Sequence, residues 1–308
     1  MLSVKRRIPV LPERRGLVPA YGSPGLQEAG VLDRRTIQEL VSECPIVRRT
    51  FLCWLADRLI LCPTRHPIEA TDKTRRLIPF GDGGLEIWTQ RVGDEPARAA
   101  DLYVLKFPGT AGRAERSTAH PADAWPGMRV EVWSVNPPGY GGSDGTASLR
   151  RIAAFADAAL EQIQREASGG PVLVTGSSLG CVAALYLAAR RPIAGLILRN
   201  PPPLREVILA RFGWRTLFLG ARLIARQIPP ELDAIRNAAA ARAPAVFVSA
   251  QRDRVVPLPC QQGIFAAYQG PQRVLRLPQA DHHTPLTDDE AEQYRELLAR
   301  LRRQMMSR

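Results

Sequence analysis

The sequence predicts an α/β fold: a doubly wound, mostly parallel sheet with a leading antiparallel hairpin and a short helical cap. Three observations carry this reading. From residue 101 onward, short apolar runs alternate with longer helical patterns, as parallel strands joined by crossover helices require. The runs are apolar throughout rather than alternating, which suits strands buried on both faces. One of them, at 171–175, stops abruptly in Gly176-Ser177-Ser178-Leu179-Gly180 and passes at once into a small-residue helical pattern. A strand, a sharp turn and a helix would write that order.

Along the chain, residues 1–30 hold four prolines and paired arginines with little periodicity, and an irregular arm is expected there. A helical pattern runs through Ile37, Leu40 and Val41, and Pro45 should start or kink a helix. Residues 51–61 are apolar nearly all round. They read as a helix packed on the main body, with a basic amphipathic element on a membrane as the minority reading. Residues 76–80 and 85–92 flank a glycine-rich turn and predict the hairpin. Strands follow at 101–107 and 128–135, then a helix at 148–166 with Ile152, Phe155, Leu160 and Ile163 on one face. After the strand at 171–175 come a helix at 179–190 and a strand at 193–198. An irregular helical stretch at 200–243 precedes strands at 245–250 and 273–277 and helices at 258–269 and 288–302. The chain thus divides into an N-terminal arm and helical extension, 1–75, and a main domain, 76–308, with a cap inserted at 200–243.

Composition narrows the function. With 308 residues, 45% hydrophobic and 23% charged, the chain can bury a large core. No apolar run approaches the ~20 residues a membrane span needs. The short run at 8–11 is broken by Pro9, so no signal peptide is expected. The net charge of +12 rests almost wholly on arginine, since Lys5, Lys73 and Lys106 are the only lysines. The charges are spread out, without aromatic interleaving or a binding module, so no nucleic-acid partner is expected. A solvated basic surface is the plainer reading; attraction to anionic membranes or acidic substrates is the second. Five cysteines, an odd number with no Cys-x-x-Cys, argue against a disulfide framework or a zinc site and point to a reducing cytoplasm. No metal or organic cofactor is implied.

In such a sheet, chemistry gathers at the carboxyl ends of the strands. Four loops there carry what acyl transfer needs. Ser178, at the centre of Gly-x-Ser-x-Gly, is the candidate nucleophile, and it needs a neighbouring base. Ser177 lies at a variable position of the motif. A phosphate-binding turn is disfavoured, because no Gly-Lys-Ser/Thr follows. Asp253, directly after a strand, is placed to orient a histidine; a surface pair with Arg252 or Arg254 is the alternative. The strand ending at Leu198 is followed by Arg199-Asn200-Pro201, which offers no carboxylate. His282, after the last strand, is the candidate base, with His283 lining the site beside it. The Leu179 N–H and an amide of the loop 107–112, most plausibly Thr110, are the candidate donors to an oxyanion. Tyr140, Phe212 and Trp214 are further candidates for the substrate pocket.

With these loops in view, the chain resembles the α/β-hydrolase superfamily, in which the order Ser178, Asp253, His282 is the Ser–acid–His order. The likeness covers roughly residues 76–305. It is nearest to the Bem46-like and ABHD-type single-domain hydrolases, described as serine aminopeptidase-like or lysophospholipase-like. Their His-Gly-Asn-Ala/Gly-Gly loop corresponds to Pro108-Gly109-Thr110-Ala111-Gly112, and their Gly-Tyr-Gly-x-Ser-x-Gly loop to Gly139-Tyr140-Gly141-Gly142-Ser143-Asp144-Gly145. Pro108 replaces the usual histidine, and His283 stands where asparagine is frequent.

The resemblance implies a serine hydrolase acting on a small-molecule or lipid-like ester or thioester. An amidase or aminopeptidase-like enzyme and a non-catalytic, membrane-associated scaffold are the alternatives. The cap mixes Val207, Ile208, Phe212, Trp214 and Leu223 with Arg205, Arg211 and Arg222. It reads equally as packing on the body and as an apolar wall whose arginines meet an anionic head or lipid surface. Peripheral membrane contact through the N-terminal and cap helices is part of the second reading.

Overall fold

The computed structural model describes residues 45–93, 99–214 and 219–307. The expected arm, the helical pattern before residue 45 and part of the cap lie outside the described residues. Residues 48–308 make one compact unit.

Eight strands form one sheet: β1 (Thr74–Phe80), β2 (Gly83–Val92), β3 (Leu102–Phe107), β4 (Val130–Val135), β5 (Val172–Ser177), β6 (Gly195–Arg199), β7 (Ala245–Ala250) and β8 (Gln272–Leu277). Their spatial order is β1-β2-β4-β3-β5-β6-β7-β8. β1 and β2 pair antiparallel, as do β2 and β4, and every other pair is parallel. The doubly wound, mostly parallel sheet and its leading hairpin are therefore as predicted, with strand ends shifted by one or two residues.

Strand alternation sorts the side chains into two cores. Leu105, Val174, Leu196, Leu198 and Phe247 face one side, against α2 (Ile152–Ala167) and α3 (Gly180–Ala188). Val104, Leu173, Ile197, Val246 and Val248 face the other, against α8 (Asp288–Met306) and Trp125. Burial on both faces is why the strands read as unbroken apolar runs. The cap contributes α4 (Leu204–Phe212), α5 (Leu219–Ala225) and α6 (Ala234–Ala240); α7 (Leu258–Ala267) follows β7.

The helix predicted around Pro45 is α1 (Pro45–Ile60), with the proline at its start. Its inner face joins the first core through Ala56 and Leu61. Its carboxyl end is held by the main body: Thr110 Oγ1 donates to the Ile60 carbonyl at 3.2 Å, and the Tyr140 hydroxyl donates to that of Leu61. Those carbonyls are the acceptors a helix end leaves unpaired. Among the described residues no helix is long and apolar enough to cross a membrane.

Behind these contacts lies a buried polar network. The side chain of Asn136, fully buried at the end of β4, donates to Glu86 (2.6 Å) and Glu115 (2.9 Å) and accepts from the Ala114 amide (2.8 Å). Arg113 pairs with Glu115 and donates to the carbonyls of Thr64 and His66. Burial alone would raise the Glu86 carboxyl. Arg75, the Gly142 amide and Asn136 outweigh it and hold the group below the usual glutamate range. Its contribution to stability is then complete above the ordinary value of 4.5 and is lost as pH falls through the lower folded value. Glu86→Gln is expected to cost about 2 kcal/mol at pH 7. Urea unfolding should show the gap to the parent protein narrowing as pH falls below 4.5; a gap constant with pH would refute this.

Candidate active site

The turn after β5 is set by close packing. A Cβ on Gly180 would lie 2.1 Å from the Phe107 carbonyl oxygen, and one on Gly176 would lie 2.7 Å from the Cys181 backbone. Both motif glycines are thus required by the approach of α3 to β3 and β5. Between them Ser178 sits at φ +50, a left-handed conformation that costs a non-glycine residue about 1–2 kcal/mol. The Ser178 amide donates to the Arg199 carbonyl at 2.8 Å, which pins the turn to the end of β6. Cys181, next along α3, is a buried packing residue whose thiol is pushed up by burial.

His282 Nε2 lies 3.0 Å from Ser178 Oγ, and His282 Nδ1 lies 2.6 Å from Asp253 Oδ2. A carboxylate oxygen accepts, so Nδ1 carries the proton and Nε2 turns its lone pair to the serine. Asp253 is buried, and its other oxygen accepts from the Val255 and Val256 amides, each at 2.8 Å. That turn aims the carboxylate inward. The alternative surface pair with Arg252 or Arg254 is not formed. The His282 loop is tied in turn: the Asp281 carboxylate accepts from the His282 and Arg254 amides, which hold it below the usual range.

Ser178, Leu179, Thr110, Phe212, His282 and His283 line one groove of about 590 Å³. The Leu179 and Thr110 amides donate to no group of the described residues. His283 is exposed and packs edge-on against the His282 ring, with centroids 4.8 Å apart. The remaining wall is largely apolar, from α4 of the cap, from Val255 and Val256, and from Leu59 and Ile60 of α1. Two expected pocket residues are not in this lining. Tyr140 is 2% exposed and clamps Leu61, and it lines a small cavity that shares Gly109 and Leu179 with the groove. Trp214 is 83% exposed and lies outside the groove lining.

One residue of the site escaped the sequence reading. Asn200, the position judged empty of a carboxylate, is buried at φ +49. Its Nδ2 donates to the His282 carbonyl at 3.1 Å, and its Oδ1 accepts from the Ala250 amide at 2.9 Å. Arg199 adds a bond from its guanidinium to the Thr284 carbonyl at 2.6 Å. The available signal was an asparagine, tolerant of left-handed backbone, between a strand and three prolines.

No protein-family model matches the chain. The uncharacterized protein MT2364 of Mycobacterium tuberculosis is 32% identical over 247 residues, covering 77% of this chain and 83% of that protein. The Pyrococcus furiosus esterase PF2001 superposes with a TM-score of 0.58 at 15% identity, over 80% of this chain and 98% of that one. The acylaminoacyl peptidase of Pyrococcus horikoshii gives 0.56 at 13% identity, over 76% of this chain and 41% of that one. Together with the sheet order, these likenesses show the α/β-hydrolase fold.

Asn200→Ala should leave the His282 carbonyl and the Ala250 amide unpaired in a buried place, and should cost about 3 kcal/mol in urea unfolding. Asn200→Gly, which suits the backbone but lacks the amide, should lose nearly as much. Recovery with glycine would mean that backbone strain, rather than the bridge, sets the cost.

Proposed function

The chain belongs to the family of the mycobacterial protein MT2364, and we propose that within it this protein is a serine hydrolase, cleaving a carboxylic ester or thioester through an acyl-enzyme. The observation that carries the reading is the continuous hydrogen-bonded chain from Ser178 Oγ through His282 to Asp253, set on a left-handed turn and open to an apolar groove. The loop likeness to Bem46-like hydrolases supports the same chemistry.

In this reading His282 Nε2 takes the Ser178 proton as Oγ attacks the acyl carbon, and Asp253 stabilises the resulting imidazolium. The free amides of Leu179 and Thr110 receive the oxyanion; one such donor is typically worth ~10²–10³ in rate. The alcohol or thiol leaves with the proton held on Nε2. Water, deprotonated by the same nitrogen, then attacks the acyl-enzyme and releases the acid. An aminopeptidase-like activity ranks lower, because among the described residues no carboxylate lines the groove to pair with a substrate amine.

Lipid-like esters suit the groove. Leu59 and Phe212, both exposed, stand in its wall; Phe51 and Trp54 are exposed on the helix of Leu59, and Trp214 and Leu219 on the cap. Peripheral contact with a membrane surface belongs to this proposal.

Ser178→Ala should lower kcat for a short p-nitrophenyl ester by at least ~10³-fold and abolish labelling by a fluorophosphonate, with an unchanged circular-dichroism spectrum. Full residual activity would sink the assignment. His282→Ala should be as damaging, and His283→Ala should cost less than about tenfold. The opposite ranking would exchange their roles.

A further inference from the structure

A second cavity, of about 450 Å³, opens beside the elbow. It shares Gly109 and Ser177 with the groove but is roofed by the segment 112–121. Among the described residues its charged lining is all of one sign: Lys106, Arg113, Arg116 and Arg199, with His120, and no aspartate or glutamate. Arg113 is neutralised by Glu115 in the buried network. The other three cations have no carboxylate partner among the described residues. Lys106 Nζ donates to the carbonyls of Thr118 (2.8 Å) and His120 (2.6 Å). Arg199 donates to the Thr284 carbonyl, and Arg116 meets only the His66 ring, at 3.3 Å.

His120 also lines the chamber: its Nδ1 donates to Asp123 at 3.0 Å, so its Nε2, buried with no hydrogen-bond partner, presents a lone pair that would accept from the O–H of a hydrogen phosphate. Tyr294 also lines the chamber, and burial keeps its phenol protonated as a donor. Enclosure costs a cation solvation, and Lys106 is the enclosed one of the three, whereas Arg116 is exposed. Burial pushes the Lys106 ammonium down to about 8 despite the Asp123 charge, and Lys73 adds to the shift. An anion entering the chamber would remove that penalty.

We propose that this cavity is an anion site that seats the carboxylate or phosphate at the acidic end of the ester substrate. The substrate half of this proposal rests on the serine-hydrolase reading. Gly109 and Ser177 line both the chamber and the groove that holds Ser178, so the two adjoin. In this proposal a half-ester of a short diacid bridges them, with the ester carbonyl at Ser178 and the free acid among Lys106, Arg116 and Arg199.

Two measurements on the full chain test it. Inorganic phosphate titrated calorimetrically into the Ser178→Ala protein should bind, and adding Lys106→Met or Arg116→Gln should weaken binding at least tenfold. No binding, or binding indifferent to both substitutions, overturns the anion site. Arg116 is exposed at the rim, so its variant guards against a folding defect in Lys106→Met. In the active protein, kcat/KM for 4-nitrophenyl hydrogen glutarate should exceed that for neutral 4-nitrophenyl pentanoate at least tenfold, and either substitution should lower this ratio at least fivefold. Phosphate binding with a ratio of one overturns the substrate role and leaves a site for a free anion. Phosphate binding with neither ester cleaved overturns the hydrolase reading instead.

Discussion

The approach of α3 to the end of β3 governs the site. Gly180 lies so near the Phe107 carbonyl that a methyl group would be crushed against it. This contact brings the loop after β3 against the first turn of α3, with Ser178 between them. A side chain at Gly180 would push the helix away, separating the serine and the Leu179 amide from the Thr110 amide. Strain at Ser178 is sustained because the surroundings over-determine it: the Arg199 carbonyl fixes its amide, and the glycines fix the helix.

Around that contact the loops are fastened by polar groups rather than by packing. Asn136, Glu86, Arg113 and Glu115 tie the ends of β2 and β4 to the segment 61–66. Asn200, Arg199 and Asp281 do the same for the histidine loop. Buried polar networks are costly when incomplete, and each of these closes on backbone groups that a loop would otherwise leave unpaired. The loops meeting over the sheet are therefore held in place without regular structure.

Local features were readable from the amino acids. Strand, elbow and helix write their periodicities within fifteen residues, and Asp253 and His282 stand directly after strands. What escaped was long-range. Asn200 matters through a carbonyl 82 residues away, and no short window reveals that. Tyr140 looked like a pocket aromatic because of its glycine-rich setting, yet its hydroxyl reaches a helix end 79 residues back. The basic charge looked scattered along the chain; the fold gathers Lys106, Arg116 and Arg199 from two strands and a loop into one chamber. For the cap, Leu204 and Ile208 of α4 belong both to the core and to the groove lining.

Leu59 and Ile60 stand in the wall of the groove, and their helix is fastened by Thr110, whose own amide faces the site. The working unit consequently begins before the sheet does. A domain boundary drawn at Thr74, where the first strand starts, would cut away one side of the cleft and release the loop that carries Thr110.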